Sequence, residues 1–272
     1  MGRPMTHPTL FGRWHLNALA LTAVVVVSAC SERQTFLPGP REDVRSVLQD
    51  PVLAAPLAPE TENISRAINL APQTNNTSWT HSTGISQYRT AHPALGSALQ
   101  LLWSADIGDG DSRRYRITAD PVVADGRIFT LDAGAQVTAT STSGQTLWSV
   151  DLTPASDKQG QGTGGGLAVE GSTVYASVGY GVLAALDVET GAVRWTQDFD
   201  ATGSGTPTVS GGIVYITAGD DTGWALDKAD GRVAWRTTVV DSEANVLGAP
   251  APIVTPGLAI FAFGSGQVQA VF

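Results

Sequence analysis

Cysteine occurs once in the 272 residues, at Cys30, and histidine four times. One cysteine excludes an internal disulfide and every multi-cysteine metal site. Two of the histidines fall in the first fifteen residues, leaving His81 and His92, eleven apart and off zinc-ligand spacing. Charged residues make up only 15% of the chain, and acids outnumber bases for a net charge of −9. A chain of that sign lacks the basic face that nucleic-acid phosphates require. No apolar run reaches the roughly 20 residues of a membrane-spanning helix. The apolar share of 42% is nevertheless ample for a core and excludes disorder over the whole length.

The first 29 residues carry Arg3 and Arg13 and no acid. They lead into Leu16–Val27, apolar but for Asn17 and Thr22, and end in V-S-A-C. A basic start, a short apolar run and small residues describe a secretory signal. V-S-A-C resembles a bacterial lipoprotein box, which implies cleavage before Cys30 and acylation of its thiol and new amine. Ser31 stands next rather than Asp, which by the same likeness implies sorting to the outer membrane. Residues 30–95 hold seven of the fifteen prolines and no sustained period. They read as a lipidated tether, with an expected reach of roughly 45 Å for about 65 residues at 5–6 Å × √n. The stretch around Trp79 is expected to pack on the domain C-terminal to it.

From residue 96 onward the texture changes, and 26 of the 30 glycines lie there. Short runs of Val, Ile, Tyr, Phe and Thr alternate with glycine-containing turns, the signature of strands. Trp103, Trp148, Trp195 and Trp235 recur at intervals of 45, 47 and 40. The segments A-T-S-T-S-G-Q-T-L-W, L-D-V-E-T-G-A-V-R-W and L-D-K-A-D-G-R-V-A-W align without gaps. Gly144, Gly191 and Gly231 each stand four residues before a tryptophan. Units of this length with four strand signals are the size of a β-propeller blade. D-G, E-G and G-G supply the positive φ of tight hairpins. Asp187 and Asp227 open D-x-x-x-G turns whose carboxylates are placed to accept backbone N–H groups. The indoles are expected to fill the wedges between blades.

These units resemble the A-x-D-x-x-T-G-x-x-x-W blades of the pyrroloquinoline-quinone-like propeller family; A-L-D-V-E-T-G-A-V-R-W fits closely, and T-S-T-S-G-Q-T-L-W lacks the Asp. With the lipoprotein box, the tether and L-P-G-P-R-E-D-V, the whole chain resembles the outer-membrane assembly lipoproteins of that family, most of all α-proteobacterial ones. The likeness implies an all-β propeller of eight blades without catalysis, cofactor or metal. It implies a lipid-anchored scaffold on the periplasmic side of the outer membrane. Its implied partners are the periplasmic domains of the barrel insertase and unfolded outer-membrane proteins. Contacts to the insertase map onto D-S-E-A-N-V-L-G-A-P, where Val246 and Leu247 are the apolar candidates and the family's arginine is absent.

Eight blades need about 360 residues, so residues 96–272 hold about four. The fourth unit reaches Phe272 where Asp187 and Asp227 stand in their units, and its tryptophan is expected at position 280. The chain is therefore read as a shortened version of the family. Two other readings stay open: a fragment of a quinoprotein dehydrogenase, which needs quinone and Ca²⁺, and a membrane-anchored interaction propeller with another partner. G-Q-G-T-G-G-G (160–166) leads into a strand pattern rather than a helix, and is read as a flexible interblade loop rather than a phosphate cradle. Asp220 and Asp221 are read as a solvated hairpin tip.

Overall fold

The computed structural model describes residues 67–87, 92–113, 115–240 and 249–272. Ile68–Phe272 forms one compact unit. Among the described residues there is no helix. Fifteen strands make four separate sheets, each a meander of consecutive neighbours. Blade I holds β1 (Val122–Ala124), β2 (Arg127–Leu131), β3 (Gln136–Ser141) and β4 (Thr146–Asp151). Blade II holds β5 (Gly165–Glu170), β6 (Thr173–Val178), β7 (Val182–Asp187) and β8 (Val193–Asp198). Blade III holds β9 (Thr208–Ser210), β10 (Ile213–Thr217), β11 (Thr222–Asp227) and β12 (Val233–Thr238). Blade IV holds β13 (Ile253–Thr255), β14 (Leu258–Ala262) and β15 (Val268–Val271). This is the all-β partial propeller read from the repeat.

Turn chemistry fixes the register. Asp125 and Gly126 take φ of 48° and 71°, and Gly211 and Gly212 take 63° and 91°. Both pairs make the two-residue hairpin whose twist matches the flanking strands. The fourth strand of each full blade then slips by one residue. The shift falls between Ala139 and Thr140, Ala185 and Leu186, and Ala225 and Leu226. A bulge at the same point in three blades sets Trp148, Trp195 and Trp235 opposite an alanine each time.

The core lies between blades rather than within one. Val122, Phe129 and Val137 of blade I meet Leu167, Val174, Ala184 and Leu186 of blade II. On the other face of blade II, Ala168, Tyr175, Leu183 and Ala185 meet Val214, Ile216 and Leu226 of blade III. A sheet covered on both faces needs apolar side chains at successive positions, which is why β7 reads V-L-A-A-L-D without alternation. The outer strands β4, β8 and β12 alternate, with one face of each toward solvent.

Candidate functional site

The recurring constellation is the seam between blades. The Trp148 indole N–H donates to the Val188 carbonyl of the next blade at 3.0 Å, and Trp195 donates to Lys228 at 3.1 Å. Trp103, ahead of blade I, donates to Thr142 at 2.9 Å. Each ring lies flat on a glycine of the following blade. A Cβ on Gly191 would stand 2.7 Å from Trp148, one on Gly231 2.5 Å from Trp195, and one on Gly144 2.8 Å from Trp103. So the glycine that precedes each tryptophan in the sequence serves the tryptophan of the blade before. Within its own blade each indole meets an aromatic of the second strand: Phe129 with Trp148 at 5.8 Å, Tyr175 with Trp195 at 5.9 Å, and Tyr215 with Trp235 at 6.0 Å. Trp235 also stands edge-on to Phe261 of blade IV at 5.9 Å.

The D-x-x-x-G turns hold the seat. Asp187 Oδ1 accepts from the Glu189 and Thr190 N–H groups at 3.0 and 2.9 Å, and Asp227 Oδ1 accepts from Ala229 at 2.8 Å. Arg194 donates to Asp187 Oδ2 at 2.7 Å. That guanidinium bond, with the Thr190 hydroxyl and backbone bonds, holds the Asp187 carboxyl down at about 2. Replacing Arg194 by alanine is expected to move the Asp187 titration, followed by carboxyl-carbon NMR, up toward the ordinary value near 4. An unchanged midpoint would show that the Thr190 hydroxyl and the backbone N–H groups set it without Arg194.

Beside the second seam an open cavity of about 390 Å³ is lined in part by Glu170, Tyr175, Arg194, Trp195 and Lys228. Its charges are matched, since Lys228 Nζ stands 2.5 Å from Glu170. That bond raises the Lys228 ammonium, and burial raises the Tyr175 phenol. Among the described residues no three His, Cys, Asp or Glu side chains converge on a metal-sized site.

Two readings change. Asp221 is buried, with φ of 58°, and accepts from the Gly264 N–H of blade IV at 2.7 Å. It is an interblade brace, and only Asp220, which accepts from the Thr222 N–H, keeps to the hairpin tip. Residues 160–164 belong to the loop between β4 and β5, Gly165 and Gly166 open β5 itself, and glycines of the run allow close approach. A Cβ on Gly162 would stand 2.7 Å from Tyr180, and one on Gly166 2.2 Å from Thr206. Cys30, Val246 and Leu247 lie outside the described residues.

The N-terminal stretch makes a contact that sequence periodicity does not announce. Trp79 exchanges two backbone bonds of 2.7 Å with Val123 of β1. The Thr80 carbonyl accepts from Val169 of β5 at 2.9 Å, and His81 Nε2 accepts from the Val209 N–H of β9 at 3.1 Å. His81 is 6% exposed, and burial pulls its imidazole down to about 4 against the opposing pull of Glu170.

A sector of four-stranded blades, locked by indole-on-glycine seams and closed by D-x-x-x-G turns, defines a β-propeller of the pyrroloquinoline-quinone-like repeat class. The profile of the family described as outer membrane protein assembly factor BamB matches residues 133–272, just over half of the chain. The chain belongs to that family. It is 28% identical over 175 residues to outer membrane protein assembly factor BamB of Yersinia pestis, an alignment covering 62% of this chain and 44% of that protein. The chain thus spans less than half the length of that relative. Among solved structures, BamB from Moraxella catarrhalis superposes with a TM-score of 0.47 at 20% identity, over 59% of this chain and 48% of that one. Quinohemoprotein alcohol dehydrogenase ADHIIG from Pseudomonas putida HK5 superposes with a TM-score of 0.55 at 20% identity, over 72% of this chain and 38% of that one. At such identity the likeness to the dehydrogenase is one of fold alone.

Proposed function

We propose that the protein is a non-catalytic scaffold in the assembly of β-barrel proteins into the outer membrane. The observation that carries this reading is the match of the assembly-factor family across residues 133–272, which takes in every strand of blades II, III and IV and the last two of blade I. On this reading acyl chains on Cys30 fasten the chain to the periplasmic side of the outer membrane. Residues 30–95 are the tether, its stretch around Trp79 packed on the blades, and 96–272 the propeller sector. Two or three acyl chains at about 0.8 kcal/mol per buried CH₂ make a firm anchor. The partners are the periplasmic domains of the barrel insertase and unfolded outer-membrane proteins, with Val246 and Leu247 as apolar contacts. The matched charges of the interblade cavity and its structural hydrogen bonds fit a docking body rather than a reacting centre.

Affinity capture from detergent-solubilised outer membranes, with the tagged chain as bait, is expected to recover the barrel insertase, and Val246→Asp to weaken that recovery. Capture without the insertase would reject the reading. Cys30→Ala is expected to release the protein from the membrane fraction into the periplasm. Alcohol-dependent dye reduction on addition of quinone and Ca²⁺ would put a dehydrogenase in the scaffold's place.

A further inference from the structure

The first strand β5 lies beside both β1 and β9, and each of the three is the end strand of its own sheet, with one ladder edge left open by its blade. An edge strand presents N–H and C=O groups that must find partners or water. The register places Val123, Val169, Val209 and Val254 at the same position, one residue before the strand end, in all four blades. The repeat therefore turns the N–H of this one position inward in every blade, whatever the sequence opposite.

Three of these donors are taken by three consecutive residues: the Trp79 carbonyl, the Thr80 carbonyl and the His81 imidazole. The third acceptor is a side chain for a geometric reason. The backbone turns back after Thr80, with Gly84 N–H bonded to the His81 carbonyl and Thr80 N–H bonded to the Gly84 carbonyl. The His81 carbonyl is thus spent on the turn, and the imidazole spans to the third blade instead. Its Nδ1 lies 2.9 Å from the Thr80 hydroxyl, which leaves Nε2 as the acceptor. The Trp79 ring backs the turn, with its N–H on the Ser82 carbonyl and its face 3.3 Å from where a Gly84 Cβ would stand. Every blade completes its own ladder without this segment.

We infer that the inward edges of the first strands form a receptor for a peptide segment, and that Trp79–His81 is its resident ligand in cis. The site takes two successive backbone carbonyls followed by a neutral side-chain acceptor, one residue per blade. This inference stands on blade geometry and not on the assembly role, so the capture experiment above leaves it untouched.

The test uses the full chain with residues 88–91 replaced by a specific protease sequence and cut after folding. Gel filtration on dilution is expected to show the N-terminal piece still bound. A synthetic peptide spanning residues 76–86 is expected to displace it, although that peptide lacks the Thr74 bonds to the His92–Ala94 segment. His81→Ala is expected to raise the dissociation constant about tenfold or more, the cost of stranding a buried N–H, and His81→Gln to restore most of the loss. Failure of the peptide to compete, or an unchanged constant in His81→Ala with the blades folded by circular dichroism, would overturn the inference. Should the cut chain unfold, amide exchange on the uncut chain decides. Val123, Val169 and Val209 are expected to exchange slowly, and His81→Ala to release Val209 alone. Fast exchange at all three in the parent chain would end the case for a receptor.

Discussion

Gly191→Ala is expected to destabilise the propeller sector by about 2–4 kcal/mol, a loss disproportionate to one methyl group. Two costs combine. Gly191 holds φ of 72°, where a side chain costs about 1–2 kcal/mol. Its new Cβ would also stand 2.7 Å from Trp148, an overpacking cost of about 1–3 kcal/mol. Trp148→Ala alone is expected to cost about 3 kcal/mol, the low end for a tryptophan because the ring is only half-buried. The discriminating measurement is the double variant, followed by denaturant unfolding. With the indole gone the added methyl meets only the flexible Val150 side chain, 3.0 Å away, so the double variant should be about 1–3 kcal/mol more stable than the two single losses added together. Plain additivity would mean that the two residues do not share a seam. Trp195 and Gly231 form the same pair at 2.5 Å and should repeat the result.

Acid is expected to weaken the fold through His81 in a defined window. Its folded value near 4 lies below the ordinary 6.5, so the unfolded chain takes up the proton first as pH falls. Stability is complete above about pH 6.5, declines between about 6.5 and 4, and levels off below that. A depression of this size is worth about 3 kcal/mol. The charged groups around the ring are Glu170 at the end of β5, which opposes the depression, Lys228 paired with Glu170, and Asp125 and Asp120 on the blade I side. Unfolding free energies of the parent and His81→Gln, measured from pH 4 to 7.5, should differ in slope across that window. Parallel curves would refute the assignment. The Asp187 contribution works in the opposite sense of charge and lower down. Its depressed carboxyl favours the fold above the ordinary value and loses that advantage as pH falls toward about 2.

The blades were legible because their chemistry is local. D-G and G-G dictate hairpins within four residues, and a tryptophan every 40–47 residues marks each outer strand. The partnership across the seam was not legible. Gly191 has reason enough to be glycine in its turn, which hides its second duty beneath Trp148. Asp221 misled for a related reason: two adjacent acids read as solvent-facing, while a positive φ turned one of them inward to a backbone N–H of the next blade. The segment N-N-T-S-W-T-H-S-T-G left its place unmarked because it meets blades I and II through backbone groups common to every residue and blade III through a single ring nitrogen. Only Trp79 gave a signal, as a large ring expected to find cover.

The offset between the sequence repeat and the seam has a consequence for how such chains diversify. A unit cut at its tryptophans carries its own glycine seat but surrenders the ring that fills it. Exchange of whole units therefore joins indoles and glycines of different ancestry at every junction, and survives only where the seat is the same shape throughout. Uniformity at these few positions is the condition under which the loops between them are free to drift.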